Sequence, residues 1–368
     1  RWEFRYLRNA LARDPRVNVD SVVFHQPRTT STSEFTYPTA LPARPEGSSN
    51  APDPLGAFDA IVIGDVDPAD LGAEAWTRLE TYVAERGGTL IVSPGPRYWP
   101  AQQGASETVR KLLPVLDPQP VAINPGSTDQ AHPSLPPGAA VAPSVTAVGD
   151  ATAWPMLQFA ADPEQSRIVW AGLPRLPWVL AGKAKPGATV LAFSGDEAAA
   201  VIAAQPYGLG KVLWLGTDNT WRWRHRVGDA YHHRFWGQTV RWAASGKLTA
   251  GNAFVRFGPI RPKVAEGEGA RLQARISEGV AGYTPDLLIA ARVFKAGPTL
   301  GEAVAVVPLR AVAGQPRTFE GTAPALPIGS YVIRLDVPQL AEAMHLDEGK
   351  DPPRAMLDVV ARDTSERV

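Results

Sequence analysis

Three short segments carry the residue types that could perform chemistry: Asp65-Val-Asp67, Pro94-Gly-Pro-Arg-Tyr98 and the run from Asp218 to Arg224. They sit among apolar runs of the buried parallel-strand type, and such sheets bind ligands beyond the carboxyl ends of their strands. If the three segments converge there, Arg97, Arg222 and Arg224 face Asp65, Asp67 and Asp218, with Tyr98 beside them. A polar crevice of this kind suits a small anion, a sugar or a partner's side chain. The competing reading is internal. Asp67 and Asp70 cap the helix that follows, and the arginines pair with aspartates and stack on tryptophan. The internal reading is preferred, because charge clusters are often structural networks.

No metal site is expected. Asp65 and Asp67 lack a third carboxylate at the spacing a Mg2+ site needs. His225, His232 and His233 include no His-x-x-x-His pair, and neighbouring histidines on a helix diverge by about 100°. One of His232 and His233 is expected to face solvent near a helix start. No residue pattern implies a cofactor. The chain has no cysteine, which excludes disulfides and thiolate metal sites.

The elements that position these residues can be read from periodicity. Residues 3–13 read as a helix, 17–24 as a strand and 26–57 as a long polar loop. Phe58-Asp-Ala-Ile-Val-Ile-Gly64 and Thr89-Leu-Ile-Val-Ser93 read as buried strands. Between them, residues 73–86 place Trp76, Leu79 and Val83 on one helical face, stopped by Gly87-Gly88. Residues 190–193 form a further strand, and 199–205 and 211–216 flank a hairpin turn at Pro206–Gly210. Residues 229–245 form a helix with Asp229 as N-cap and an apolar face of His232, Phe235, Trp236, Thr239, Val240 and Ala243. The proline-rich stretches 114–120 and 133–137 read as loops. Strand–helix alternation of this kind argues for a parallel sheet covered on both faces.

The texture changes near residues 247–253. All 11 tryptophans lie between Trp2 and Trp242, and short alternating segments follow at 271–276, 287–294, 303–309, 331–337 and 355–360. The expected organisation is an α/β domain over residues 1–250 and an all-β, immunoglobulin-like sandwich over residues 251–368. Lys+Arg and Asp+Glu both number 37 in 368 residues, so nothing global attracts nucleic acid or anionic lipid. No run approaches the roughly 18 apolar residues of a membrane span.

Three segments resemble a known family: Arg1-Trp-Glu-Phe-Arg-Tyr-Leu-Arg-Asn-Ala-Leu11, Ile63-Gly-Asp-Val-Asp-Pro68, and Tyr207 through Trp221-Arg-Trp-Arg224 to Gln238. Together they look like the class I glutamine amidotransferase-like domain of large bacterial membrane proteins that often also carry von Willebrand factor type A domains. The resemblance covers residues 1 to about 248, and the Trp-Arg-Trp-Arg block is its most specific part. It implies a flavodoxin-like, three-layer α/β fold. It also implies a strand immediately before Arg1, where this chain begins, so the chain reads as a piece of something longer.

In that family the nucleophile is a cysteine on a sharp turn after a central strand, with a histidine base on another loop. The matching turn here is Val92-Ser-Pro-Gly-Pro-Arg-Tyr98. Ser93 is its only hydroxyl in the tight part, and Pro94 lacks the backbone N–H that an oxyanion hole requires. The family's His-Pro dipeptide matches Trp154-Pro155, where the histidine is lost, and His132-Pro133 lies in a proline-rich loop. The resemblance therefore implies a catalytically inactive, amidotransferase-like module of a membrane-anchored, extracytoplasmic bacterial protein. Its partners would be other domains of that protein or a separate protein, with no nucleic acid and membrane contact only through segments outside this chain. Trp99 and Trp178, each beside a proline, are the expected exposed interface anchors. The alternative is a hydrolase or carbohydrate-binding protein that uses the Asp/Arg crevice.

Overall fold

A computed structural model describes residues 2–25, 37–44, 53–122, 146–147, 154–174, 176–194, 199–224, 228–245, 247–248, 250–297, 299–313, 315, 317–346 and 352–362. The chain divides into two compact units. One comprises residues 1–82, 89–207 and 211–244; the other comprises 83–88, 208–210 and 245–368. His132, His225 and most of the 26–57 segment lie outside the described residues.

The first unit mixes helices with a sheet. Its helices are α1 (Trp2–Leu11), α2 (Ala73–Ala84), α3 (Glu107–Leu112), α4 (Pro163–Gly172) and α5 (Ala230–Ala244). Its strands are β1 (Ala60–Ile63), β2 (Thr89–Val92), β3 (Val115–Ala122), β4 (Thr146–Ala147), β5 (Trp178–Ala184), β6 (Thr189–Ser194), β7 (Ala199–Tyr207) and β8 (Gly210–Leu215). The sheet order is β1-β2-β8-β7-β5-β3, with β6 pairing both β7 and β4. The expected parallel sheet is present only in part: β1, β2 and β8 run parallel, whereas β5, β6 and β7 pair antiparallel, as do β3 and β5. The tight turn between β7 and β8 cannot support a crossover, so these strands are a hairpin, as the Gly208 backbone at φ 56 permits.

The two longest helices follow the apolar period. Trp76, Leu79 and Val83 of α2 are buried, as are His232, Phe235, Trp236, Thr239 and Ala243 of α5. Gly87, at φ 71, lies just beyond α2. Two expectations fail. Residues 17–23 form no strand; Val17 and Val19 pack on the core while the segment joins no sheet. The proline-rich 114–120 stretch is not a loop but most of β3, which takes the sheet edge with a register shift between Leu116 and Gln119 and Asp117 at φ 45. An edge strand with a bulge is where prolines can be accommodated.

The second unit is β-rich. Its strands are β9 (Ala250–Gly251), β10 (Val255–Pro259), β11 (Lys263–Ala265), β12 (Arg271–Ile276), β13 (Ile289–Lys295), β14 (Ala305–Ala311), β15 (Thr318–Thr322), β16 (Gly329–Asp336) and β17 (Ala355–Val360). They run in the order β11-β17-β16-β13-β14-β15-β12-β10-β9. Alternation decides which side chains go in: Ala355, Leu357 and Val359 are buried, while Met356 and Val360 are exposed. Val255, Phe257, Leu272, Val293 and Phe319 share the same apolar core.

Candidate functional site

The parallel strands β1, β2 and β8 bring the ends of three segments together. Asp65 follows β1, Ser93-Pro-Gly95 follows β2, and Asp218 follows β8. A Cβ at Gly95 would stand 2.6 Å from Asp65 Oδ2 and 2.7 Å from Asp218 Oδ2. The two carboxylates therefore converge on the same bare backbone, across a gap no wider than those two distances together. Glycine is required here because any side chain would occupy that gap.

Most of these groups are engaged within the fold. Asp65 accepts from the Arg97 amide through Oδ2 and from the Tyr98 amide through Oδ1, each at 3.0 Å. Asp218 Oδ1 accepts from Asn219 Nδ2 at 3.0 Å. Asp67 accepts from the Ala69 amide at 2.9 Å, so it caps the 68–71 turn rather than α2. That amide bond, followed by one from the Tyr98 hydroxyl, holds the Asp67 carboxyl below its ordinary range. Asp70, the other expected cap of α2, instead meets His25 Nε2 at 2.7 Å.

The arginines mostly stack on aromatic rings and pair outside the crevice, as in the preferred internal reading, although Arg222 also feels the Asp218 charge. The Arg97 side chain is exposed and leans over Tyr98, 5.9 Å from the ring centre. Arg222 lies 4.7 Å over Trp221 and reaches Asn219 Oδ1 at 3.4 Å. Arg224 turns to Asp229 and stacks 4.0 Å over Tyr6. It does so because Asp229, instead of serving α5 as a side-chain cap, gathers cations: Arg13 also approaches it at 3.6 Å.

Ser93 is 3 % exposed, and its hydroxyl donates to the Thr217 carbonyl at 2.8 Å. Thus the hydroxyl ties β2 to the end of β8. Trp99 and Trp178 contradict their expected exposure, being 2 % and 1 % exposed. Trp99 packs edge-on against Trp76 and Trp214, at 6.5 and 5.7 Å between ring centres. Trp178 begins the buried strand β5. Neither is a surface anchor. His232 is likewise buried rather than solvent-facing, its pKa drawn down to about 3 by desolvation and then by His233 and Arg224. Among the described residues, no group of three or more His, Cys, Asp or Glu is arranged to hold a metal.

One buried acid went unforeseen. Glu3 of α1 is 7 % exposed and accepts from the Thr220 hydroxyl and, at 3.2 Å, from the Trp221 amide. Thr220 Oγ1 in turn accepts from Trp236 Nε1 at 2.8 Å. Burial raises the Glu3 carboxyl to about 8, and the Asp218 charge adds to this against the hydrogen bonds. A signal was present: Glu3 lies at the start of the spacing continued by Leu7, Ala10 and Leu11, so it shares their inward stripe.

No protein-family model matches the sequence, and comparison with curated proteins finds no match. Solved structures show weak similarity, two of them as follows. One is the PmoD soluble domain from Methylocystis sp. ATCC 49242 (Rockwell), at 12 % identity and TM-score 0.19, covering 29 % of this chain and 90 % of that one. The other is the exo-beta-1,4-mannosidase Op5Man5 from Opitutaceae bacterium strain TAV5, at 15 % identity and TM-score 0.27, covering 53 % of this chain and 26 % of that one. Similarity at this level carries no functional argument. No helix among the described residues is long and apolar enough to cross a membrane.

Proposed function

We propose that the chain is a catalytically inactive, amidotransferase-like recognition module of a membrane-anchored bacterial protein. In this reading a flavodoxin-like, three-layer domain precedes an immunoglobulin-like sandwich, and the pair engages other domains of the same protein or a protein partner. The observation that carries it is Ser93. At the position where the family resemblance calls for a cysteine, the hydroxyl is buried and donates to the Thr217 carbonyl, and Pro94 follows it. A hydroxyl that donates to a strand-end carbonyl is not donating to a general base, as an activated nucleophile would. The Asp65 and Asp218 bonds described above support the same reading, since carboxylates committed to backbone and Asn219 are not poised for acid–base work.

The convergence of Asp65 and Asp218 on Gly95 favours the hydrolase alternative, and one experiment separates the two. The full chain releases no ammonia from glutamine above a glutamine-free control, and Ser93→Cys does not create that activity. Ammonia release by either protein overturns the inactive-module reading. Turnover of model esters or glycosides that Asp218→Asn abolishes would instead establish the hydrolase.

A further inference from the structure

We propose that Glu3 is a proton-operated latch that fastens α1 to the Thr220–Arg224 turn, with latch closure taking up one proton. The inference does not depend on the proposed function. Its geometry joins three elements. Glu3 from α1 meets the Thr220 hydroxyl and Trp221 amide of the turn, and Trp236 of α5 backs Thr220 through its indole N–H. Tyr6, one turn along α1, stacks on Trp221 with ring centres 5.8 Å apart and planes 17° from parallel. Releasing Glu3 therefore frees a whole helical face from the turn that follows Asp218.

The charged surroundings set the direction. Asp218, on the loop leading into the turn, repels an ionised Glu3. On the turn itself, Arg222 lies over Trp221, reaches Asn219 and feels the Asp218 charge, and Arg224 meets Tyr6 and Asp229. On α5, His232 and His233 interact with each other, with Asp229 and with Arg224. Among the described residues, the interactions that act on the Glu3 carboxyl include no cation. A neutral carboxyl keeps both contacts, with one oxygen bonded to the Thr220 hydroxyl and the other to the Trp221 amide.

The sign follows from linkage. The free carboxyl ionises near 4.5, whereas the latched one holds its proton to about 8. Between these values opening releases one proton, so the opening equilibrium grows about tenfold per pH unit and levels off above the upper one.

Amide hydrogen exchange of α1 in the full chain, corrected for intrinsic rates, tests this. Protection of residues 5–11 is expected to fall about tenfold per pH unit between pH 5 and 8, then flatten. Glu3→Gln, which keeps the neutral shape, is expected to remove that slope. An equal slope in both proteins, or none in the parent, overturns the proposal. Carbon-13 titration of glutamate carboxyls in the unsubstituted chain decides the matter if the variant does not fold. Glu3 is the one buried glutamate among the described residues, so a single carboxyl titrating above pH 7 supports the latch. Titration of every glutamate below pH 6 refutes it.

Discussion

Gly95→Ala tests whether the ends of β1, β2 and β8 are held in one close arrangement. The new methyl would lie 2.5 Å from Asp65 Cβ, 2.6 Å from Asp65 Oδ2 and 2.7 Å from Asp218 Oδ2. Carbon–carbon contacts are comfortable only at about 3.5–4.0 Å, so Asp65 must retreat by roughly 1 Å. The two carboxylate oxygens can swing, but the Cβ moves only with the backbone. Such a shift stretches the bonds from the Arg97 and Tyr98 amides, now 3.0 Å each, beyond hydrogen-bonding range. Overpacking costs about 1–3 kcal/mol. Losing one amide bond to an ionised carboxylate costs about 1.5 kcal/mol or more. The expected destabilisation is about 3 kcal/mol, or roughly 1 M in urea midpoint for a slope near 3 kcal/mol/M. Tryptophan fluorescence is a selective probe, because all 11 tryptophans lie in the first unit. Gly56→Ala is the control: nothing lies within 4 Å of its added methyl. It should stay within about 0.5 kcal/mol of the parent. Asp65→Gly, which removes the clashing Cβ together with the carboxylate, should make the second substitution at Gly95 less costly. If Gly95→Ala unfolds with the parent, the close approach is wrong and the site's geometry fails with it.

Two further substitutions read the electrostatics of the first unit. Asp53 takes two bonds from Arg78, at 2.8 Å each, and one from the Leu55 amide at 3.0 Å, with the two charged side chains 14 % and 12 % exposed. These partners, Arg78 first, hold its carboxyl well below the ordinary range. Asp53→Asn should cost about 3 kcal/mol at pH 7. A depressed carboxyl contributes above its unfolded value and fades on acidification, so the gap in urea midpoint should narrow between pH 5 and 2; a constant gap would contradict this. His232 is buried with neither ring nitrogen hydrogen-bonded. Its pKa, lowered from 6.5 to about 3, means that the unfolded chain gains a proton the native one refuses as pH falls through 6.5. The parent should lose about 2 kcal/mol by pH 5 that His232→Leu does not lose; equal pH slopes in urea unfolding would count against the buried neutral ring.

Local patterning carried much of the fold. The apolar stripes of α2 and α5 were legible because a 3.6-residue period reports a helix's inward face whatever it packs against. Alternation located β12 and β17 within a residue or so for the same kind of reason. The change from mixed α/β to β-rich structure was visible where tryptophan stops. Residues 17–23 have the apolar content of a strand, but becoming one requires an unoccupied neighbouring edge, which periodicity does not report. The prolines of 114–120 suggested a loop, and only the edge position of β3 makes them acceptable.

At the site, composition determined two things outright: the absence of any thiol, and the proline after Ser93 that removes a backbone donor. The partners of the charged groups were decided by tertiary structure. Trp99 is buried because Trp76 and Trp214, far away in sequence, close over it. Asp65 meets the 97–98 amides, Arg224 turns to Asp229 rather than Asp218, and Glu3 reaches Thr220 across almost the whole first unit. A residue's type sets what it can donate, accept or ionise. Which group receives it depends on strand order and helix docking, and those are global minima of packing rather than properties of any short segment.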